Sequence, residues 1–157
     1  MQRDAYLATF FWILVVLWMA FIFYCSAQPA TQSKDLSSGL TDFVVQAMNR
    51  WLPAIKVNTE CLHGFLRKLA HFLIYLLLGV LVMQAMRASG ITGKRAIVAS
   101  LLTCVLYAVS DELHQFFVPN RGAQITDVIL DSFGSSLGIF LASVGWRVGG
   151  RSERKKV

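Results

Sequence analysis

Several ionisable and polar residues of this chain lie inside or at the edge of long apolar stretches, where a charge is costly unless it has a partner or a function. They form three sets, each spaced so that its members share one face of a helix or flank it. The sets are Lys68, His71 and Tyr75; Asp111, Glu112, His114 and Gln115; and Asp127 and Asp131. Imidazoles, carboxylates and a lysine in this combination could bind an ion, hold a charged ligand or transfer protons.

A metal ion is one ligand that these sets could hold, because imidazole and carboxylate groups are common zinc ligands. The candidate ligands are His71, Asp111, Glu112, His114, Asp127 and Asp131. However, the chain has no His-Glu-x-x-His spacing and its three cysteines make no zinc pattern. Arg67, Lys68 and Arg121 would also oppose a cation. The sequence therefore leaves the metal, and any other cofactor, undetermined.

An anionic head group is a second candidate ligand. Lys68 and Arg121 could bind its phosphate through charge-assisted hydrogen bonds. The remaining candidates for ligand binding are Tyr75, Gln115, Asp127 and Asp131. This chemistry suits a phospholipid or a lipid-linked phosphate.

Catalysis at such a head group would need an acid or a base. The candidates are His71, His114, Asp111 and Glu112, with a histidine transferring the proton and a carboxylate orienting it. A third explanation is structural, since buried polar side chains can fix helix packing, at about 0.6 kcal/mol for each interhelical hydrogen bond. Whether the protein is an enzyme is left open.

The elements that must position these residues are membrane-spanning helices. The chain has 157 residues, of which 55% are hydrophobic and only 15% charged, and its mean hydropathy is +0.55. One soluble core of this size requires less apolar sequence. Four uncharged or nearly uncharged stretches, at about 5–25, 69–86, 96–117 and 128–146, are long enough to cross the hydrocarbon layer. The sequence predicts an all-α, four-helix transmembrane bundle in a single domain, 1–157.

The segment between the first two stretches is polar but carries an apolar repeat at helical spacing. Its members are Leu36, Leu40, Phe43, Val44, Ala47, Met48 and Trp51, and Pro53 follows. This pattern predicts an amphipathic outer helix that lies on the membrane surface or covers the bundle.

The placement of basic residues predicts the orientation. The 87–95 connection carries three basic residues and no acid, and the tail 150–157 is strongly basic. The 111–127 connection has Arg121 as its only base, beside three acids. By the positive-inside rule, both termini and the tail are cytoplasmic, and all three polar sets lie at the outer ends of their helices. Because the basic residues flank apolar stretches, the net charge of +6 does not indicate nucleic-acid binding.

Gly134 and Gly138 form a G-x-x-x-G pattern in the fourth stretch, which is typical of close helix packing. The spacing does not tell whether the partner helix belongs to the same chain or to a second copy. A homo-oligomer formed through these glycines is therefore an open prediction.

The polar sets resemble motifs of the VanZ-like membrane proteins. The second helix has the pattern Lys68-Leu-Ala-His71-Phe72-x-x-Tyr75, and the third and fourth helices have Ser110 to Arg121 followed by Asp127-Val-x-x-Asp131-x-x-Gly134. The step Ser26-Ala-Gln-Pro29 after the first helix also fits. Asn120 stands where the family usually has a glycine, which affects the turn but removes no functional side chain.

The family takes its name from a protein linked to low-level teicoplanin resistance, so the resemblance implies the cell envelope and the inner membrane of a bacterium. It implies no particular reaction. Two hypotheses follow. The protein binds a membrane lipid or a lipid-linked cell-wall precursor at the outer leaflet and so reduces susceptibility to glycopeptides, or it is an enzyme that hydrolyses or transfers a lipid head group.

Overall fold

A computed structural model describes residues 2–28, 39, 50, 59–119, 122 and 124–154, with the backbone alone at 2–4, 63 and 146–154. The described residues form four helices, which we number α1 (Gln2–Ser26), α2 (Thr59–Ala88), α3 (Gly93–Phe116) and α4 (Ile125–Arg154). Each is long and apolar enough to cross a membrane. The predicted all-α four-helix bundle is confirmed. Of the predicted amphipathic outer helix, at 36–51, only residues 39 and 50 are described, so that helix stays a prediction.

Contacts between helix ends show how the four helices run. Ser26, the last residue of α1, donates a hydrogen bond to Asp111, near the end of α3. Lys68, in the first half of α2, pairs with Asp127, at the start of α4. The ends of α1 and α3 and the starting halves of α2 and α4 therefore meet at one end of the bundle, which we call the polar end. α2 lies at the centre and packs against each of the other three helices.

Apolar side chains cover both the inside and the outside of the bundle. Along α2, Tyr75, Leu78 and Val82 are completely buried. On the outer surface, by contrast, Leu106 is 68% exposed and Phe133 is 67% exposed. A protein in water would hide such side chains, whereas hydrocarbon is a suitable solvent for them.

Two helices extend beyond the apolar stretches from which they were predicted. α2 begins at Thr59 rather than near residue 69, so Arg67 and Lys68 lie within the helix. Long basic side chains are compatible with such a position because their charged ends can reach away from the apolar core. α4 continues to Arg154 and so includes the first part of the basic tail.

Glycines allow α4 to approach α2 closely. A Cβ atom added to Gly134 would lie 2.5 Å from the carbonyl oxygen of Phe72, and one added to Gly138 would lie 2.0 Å from that of Leu76. Gly79 of α2 makes the reciprocal approach to Ser135, at 2.2 Å. The G-x-x-x-G pattern thus packs inside the chain's own bundle. A homo-oligomer stays a prediction, and it would have to use a face other than this one.

Gly138→Ala is expected to destabilise the bundle by about 1–3 kcal/mol, because a backbone oxygen cannot move aside as a flexible side chain can. The measurement is denaturant unfolding in detergent micelles. Gly145→Ala on the same helix is the matched control, since nothing lies within 4 Å of its added Cβ. That control should be neutral or slightly stabilising. Equal effects of the two substitutions would contradict the close approach of α4 to α2.

Candidate functional site

The polar end gathers side chains from all four helices. α2 contributes Lys68, His71 and Tyr75, and α4 contributes Asp127 and Asp131. From α3 come Asp111, Glu112 and Gln115, and from α1 comes Ser26. Asp111 and Asp131 are completely buried and Glu112 is 4% exposed. Such burial of carboxylates is unusual, and it is costly unless they are paired, protonated or bound to a ligand.

Three of these residues form a compact group, which we call the His-Asp-Asp cluster: His71, Asp111 and Asp131. Each contributes one potential metal-ligating atom, and all of these atoms lie within 4.8 Å of one another. Nδ1 of His71 lies 3.8 Å from Oδ2 of Asp131, which is close enough for an ion pair but too long for a hydrogen bond. The predicted contact between a histidine and a carboxylate is therefore confirmed.

Several polar atoms of the cluster are buried and receive no hydrogen bond from the described residues. They are Nδ1 of His71, Oδ1 of Asp111 and both carboxylate oxygens of Asp131. The hydroxyl of Tyr75, which lies beside the two aspartates, is in the same condition. Most buried polar atoms in proteins have a partner, so an unsatisfied group of this size needs a specific explanation. Water, a small movement of Tyr75 or His71 toward the aspartates, or a bound ligand would each supply the missing partners.

The other oxygen of Asp111 is held firmly. Oδ2 accepts a hydrogen bond from Oγ of Ser26 at 2.8 Å and a longer one from Nε2 of Gln115 at 3.3 Å. The Gln115 amide also contacts the Ser26 hydroxyl, at 3.4 Å. Ser26 was not among the predicted site residues. The only feature of the sequence that pointed to Ser26 was the family-like sequence Ser26-Ala-Gln-Pro29. A single serine after an apolar helix does not by itself indicate a functional residue.

Lys68 and Asp127 lie at the rim of the cluster. Their side chains form an ion pair at 3.6 Å, and they are 47% and 20% exposed. Asp127 precedes Asp131 by one helical turn, so the ion pair lies on the face of α4 that carries the cluster. The predicted pairing of a base with an acid is confirmed, and it places a positive charge beside the buried carboxylates.

Glu112 faces the start of α4. Its Oε2 accepts a hydrogen bond from the backbone N–H of Gln124 at 2.9 Å, immediately before that helix begins. A carboxylate at this place is stabilised by the positive end of the helix dipole. Glu112 does not belong to the compact group of ligating atoms found among the described residues. Its observed contact therefore joins the end of α3 to the start of α4.

His114 lies on another side of α3. Its ring stacks on Phe23 of α1, with 4.0 Å between the ring centres. Its Nε2 is buried without a hydrogen bond from the described residues, but the imidazole is not part of the His-Asp-Asp cluster. Arg121, the other predicted base, lies outside the described residues. Of the two histidines considered for acid–base chemistry, the structure brings His71 to the buried carboxylates.

The described polar end is acidic overall. Among the described residues, its charged side chains include the four carboxylates of Asp111, Glu112, Asp127 and Asp131 and two exposed bases, Arg67 and Lys68. Asp111 and Asp131 are the deepest of them, and neither has an ionic partner at hydrogen-bonding distance. A cation or a group with several hydrogen-bond donors would therefore be attracted to the interior of the site, and an anion only to its rim.

The site residues fall within the region of the chain that matches a known family. The family model VanZ/LLP1 matches residues 11–146. No curated protein and no solved structure matches the chain. The match covers far more than half of the 157 residues and agrees with the resemblance of the polar motifs. The chain therefore belongs to the VanZ/LLP1 family.

Proposed function

We propose that the protein binds a phosphate-bearing lipid head group at the polar end, either of an anionic membrane lipid or of a lipid-linked cell-wall precursor. The observation that carries the proposal is the group of unsatisfied polar atoms buried beside Lys68. The family and the four apolar helices support a multi-pass membrane protein of the cell envelope.

The two layers of the site suit the two parts of such a head group. At the rim, the ammonium group of Lys68 is half-exposed and can exchange Asp127 for a phosphate. Inside, Asp111 and Asp131 offer free acceptor oxygens to hydroxyl or ammonium groups of the ligand. A sugar or an amino alcohol attached to the phosphate supplies such donors, whereas a phosphodiester group by itself does not.

The proposed location is the outer leaflet of the bacterial inner membrane. The lysine and arginine asymmetry of the connections supports this orientation, with both termini in the cytoplasm. Lipid-linked precursors are accessible to glycopeptides on that side of the membrane. Occupation of their head groups by this protein would reduce glycopeptide susceptibility.

Lys68→Gln is expected to weaken head-group binding about 10- to 100-fold, because it removes a charge-assisted hydrogen bond to the phosphate. Native mass spectrometry of the detergent-solubilised protein would measure this, with phosphatidylglycerol and a polyprenyl diphosphate-linked sugar as separate ligands. Lys94→Gln is the matched control, because Lys94 is exposed at the start of α3, at the opposite end of the bundle. Equal losses in both variants would indicate nonspecific attraction to basic residues and would contradict the proposal.

A second candidate function is hydrolysis or transfer of the head group. The approach of His71 to Asp131 favours it, since a carboxylate beside an imidazole orients the ring for proton transfer. Incubating the purified protein with the same two lipids and measuring their masses would separate the two functions. Unchanged lipids that nevertheless bind support the binding role, whereas a new lipid product that disappears with His71→Gln supports catalysis.

A further inference from the structure

We propose that His71, Asp111 and Asp131 form a binding site for a divalent transition-metal ion such as Zn²⁺ or Mn²⁺. One nitrogen and two carboxylate oxygens lie within 4.8 Å of one another. Ligands around a Zn²⁺ ion at about 2.0–2.2 Å are roughly 3.4 Å apart in a tetrahedron. The 3.8 Å between His71 and Asp131 is close to that spacing. The three atoms would have to move closer together, from separations of up to 4.8 Å, to bind one ion.

The hydrogen bonds around Asp111 prepare it to ligate a metal. Ser26 and Gln115 both bind Oδ2, which leaves Oδ1 buried and unpartnered by the described residues. In metal sites, hydrogen bonds to the second oxygen of a ligating carboxylate commonly fix the direction of the first. The residues around Asp111 thus hold it as a ligand through one oxygen.

Charge balance also favours a divalent cation. Asp111 and Asp131 are completely buried, and two adjacent carboxylates repel each other strongly away from water. The ammonium group of Lys68 does not neutralise them, because it pairs with Asp127, at 3.6 Å. An ion of charge +2 neutralises both carboxylates at once and gives a partner to their unsatisfied oxygens.

The donor set indicates which class of ion fits. The cluster offers imidazole and carboxylate and no thiolate, which suits Zn²⁺ or Mn²⁺ and does not suit Cu⁺. Three protein ligands leave at least one coordination position for water or an exogenous oxygen. No short sequence motif reveals such a site, because each ligand comes from a different helix.

The test is the metal content of the purified protein in detergent. Bound metal is first removed with EDTA, and the protein is then incubated with ZnCl₂ or MnCl₂ and desalted. The amount of metal bound per chain is measured by mass spectrometry. The wild type should retain one ion per chain, whereas Asp131→Asn and His71→Gln should weaken binding more than about 100-fold. Ser26→Ala should weaken it about tenfold, as the loss of a supporting hydrogen bond does at other metal sites.

Glu60→Gln is the matched control, because it removes an exposed carboxylate from α2, the helix of His71, but leaves all three ligands in place. It should retain the ion. The thermal midpoint of the wild type should also rise with the metal, and that of Asp131→Asn should not. A wild type that retains no metal overturns the proposal, as does an equal loss in Glu60→Gln. These measurements need no lipid, so their outcome is distinct from that of the head-group experiment.

Discussion

Replacing Asp131 by asparagine should stabilise the metal-free protein by about 1–3 kcal/mol while abolishing ligand binding at the polar end. Asp131 is completely buried, and neither of its carboxylate oxygens has a hydrogen bond from the described residues. Asparagine has nearly the same shape and removes the buried charge. Unfolding in detergent with EDTA present measures the first effect, and metal or head-group binding measures the second.

The sign of the change in unfolding free energy caused by Asp131→Asn distinguishes a ligand site from a purely structural network. If the polar residues served only to fix helix packing, Asp131→Asn would destabilise the protein, because a structural contact would be lost. Ser26→Ala provides the comparison, since it removes a hydrogen bond that is made, to Asp111 at 2.8 Å. That variant should be destabilised by about 1 kcal/mol with EDTA present. A destabilised Asp131→Asn would favour the structural explanation.

A test of the orientation in the membrane with reporter fusions has an all-or-none expected result. Reporter fusions after Gly90 and after Val157 should be cytoplasmic, and fusions at Lys56 or Asn120 should be external, because the basic residues concentrate in the 87–95 connection and the tail. A phosphatase active outside the cytoplasm and a fluorescent protein active inside it give complementary signals. An external result at Gly90 would place the polar end in the cytoplasm and contradict the outer-leaflet proposal, while leaving the metal site unaffected.

The convergence of the three polar sets could be predicted, because helical spacing and chain direction can both be read from short stretches of the sequence. His71 lies in the first half of α2, Asp111 in the last part of α3 and Asp131 in the first part of α4. Helices joined by short connections must alternate in direction, so these segments meet at one end. The apolar stretches likewise required a membrane bundle, since nothing else accommodates so much exposed hydrocarbon surface.

The sequence alone thus determined the four apolar helices, the alternation of their directions across the membrane, and the end of the bundle at which the ionisable residues meet. The tertiary structure decided which of those residues touch, because the rotation of each helix about its axis depends on how its neighbours pack. Residues three apart on a helix differ by about 60° around it, and residues four apart by about 40°. His114 therefore turns to Phe23 of α1, while Asp111 and Gln115 share the contact with Ser26. The close packing at Gly134 and Gly138, which sets the approach of α4 to α2, is likewise decided only when the helices assemble.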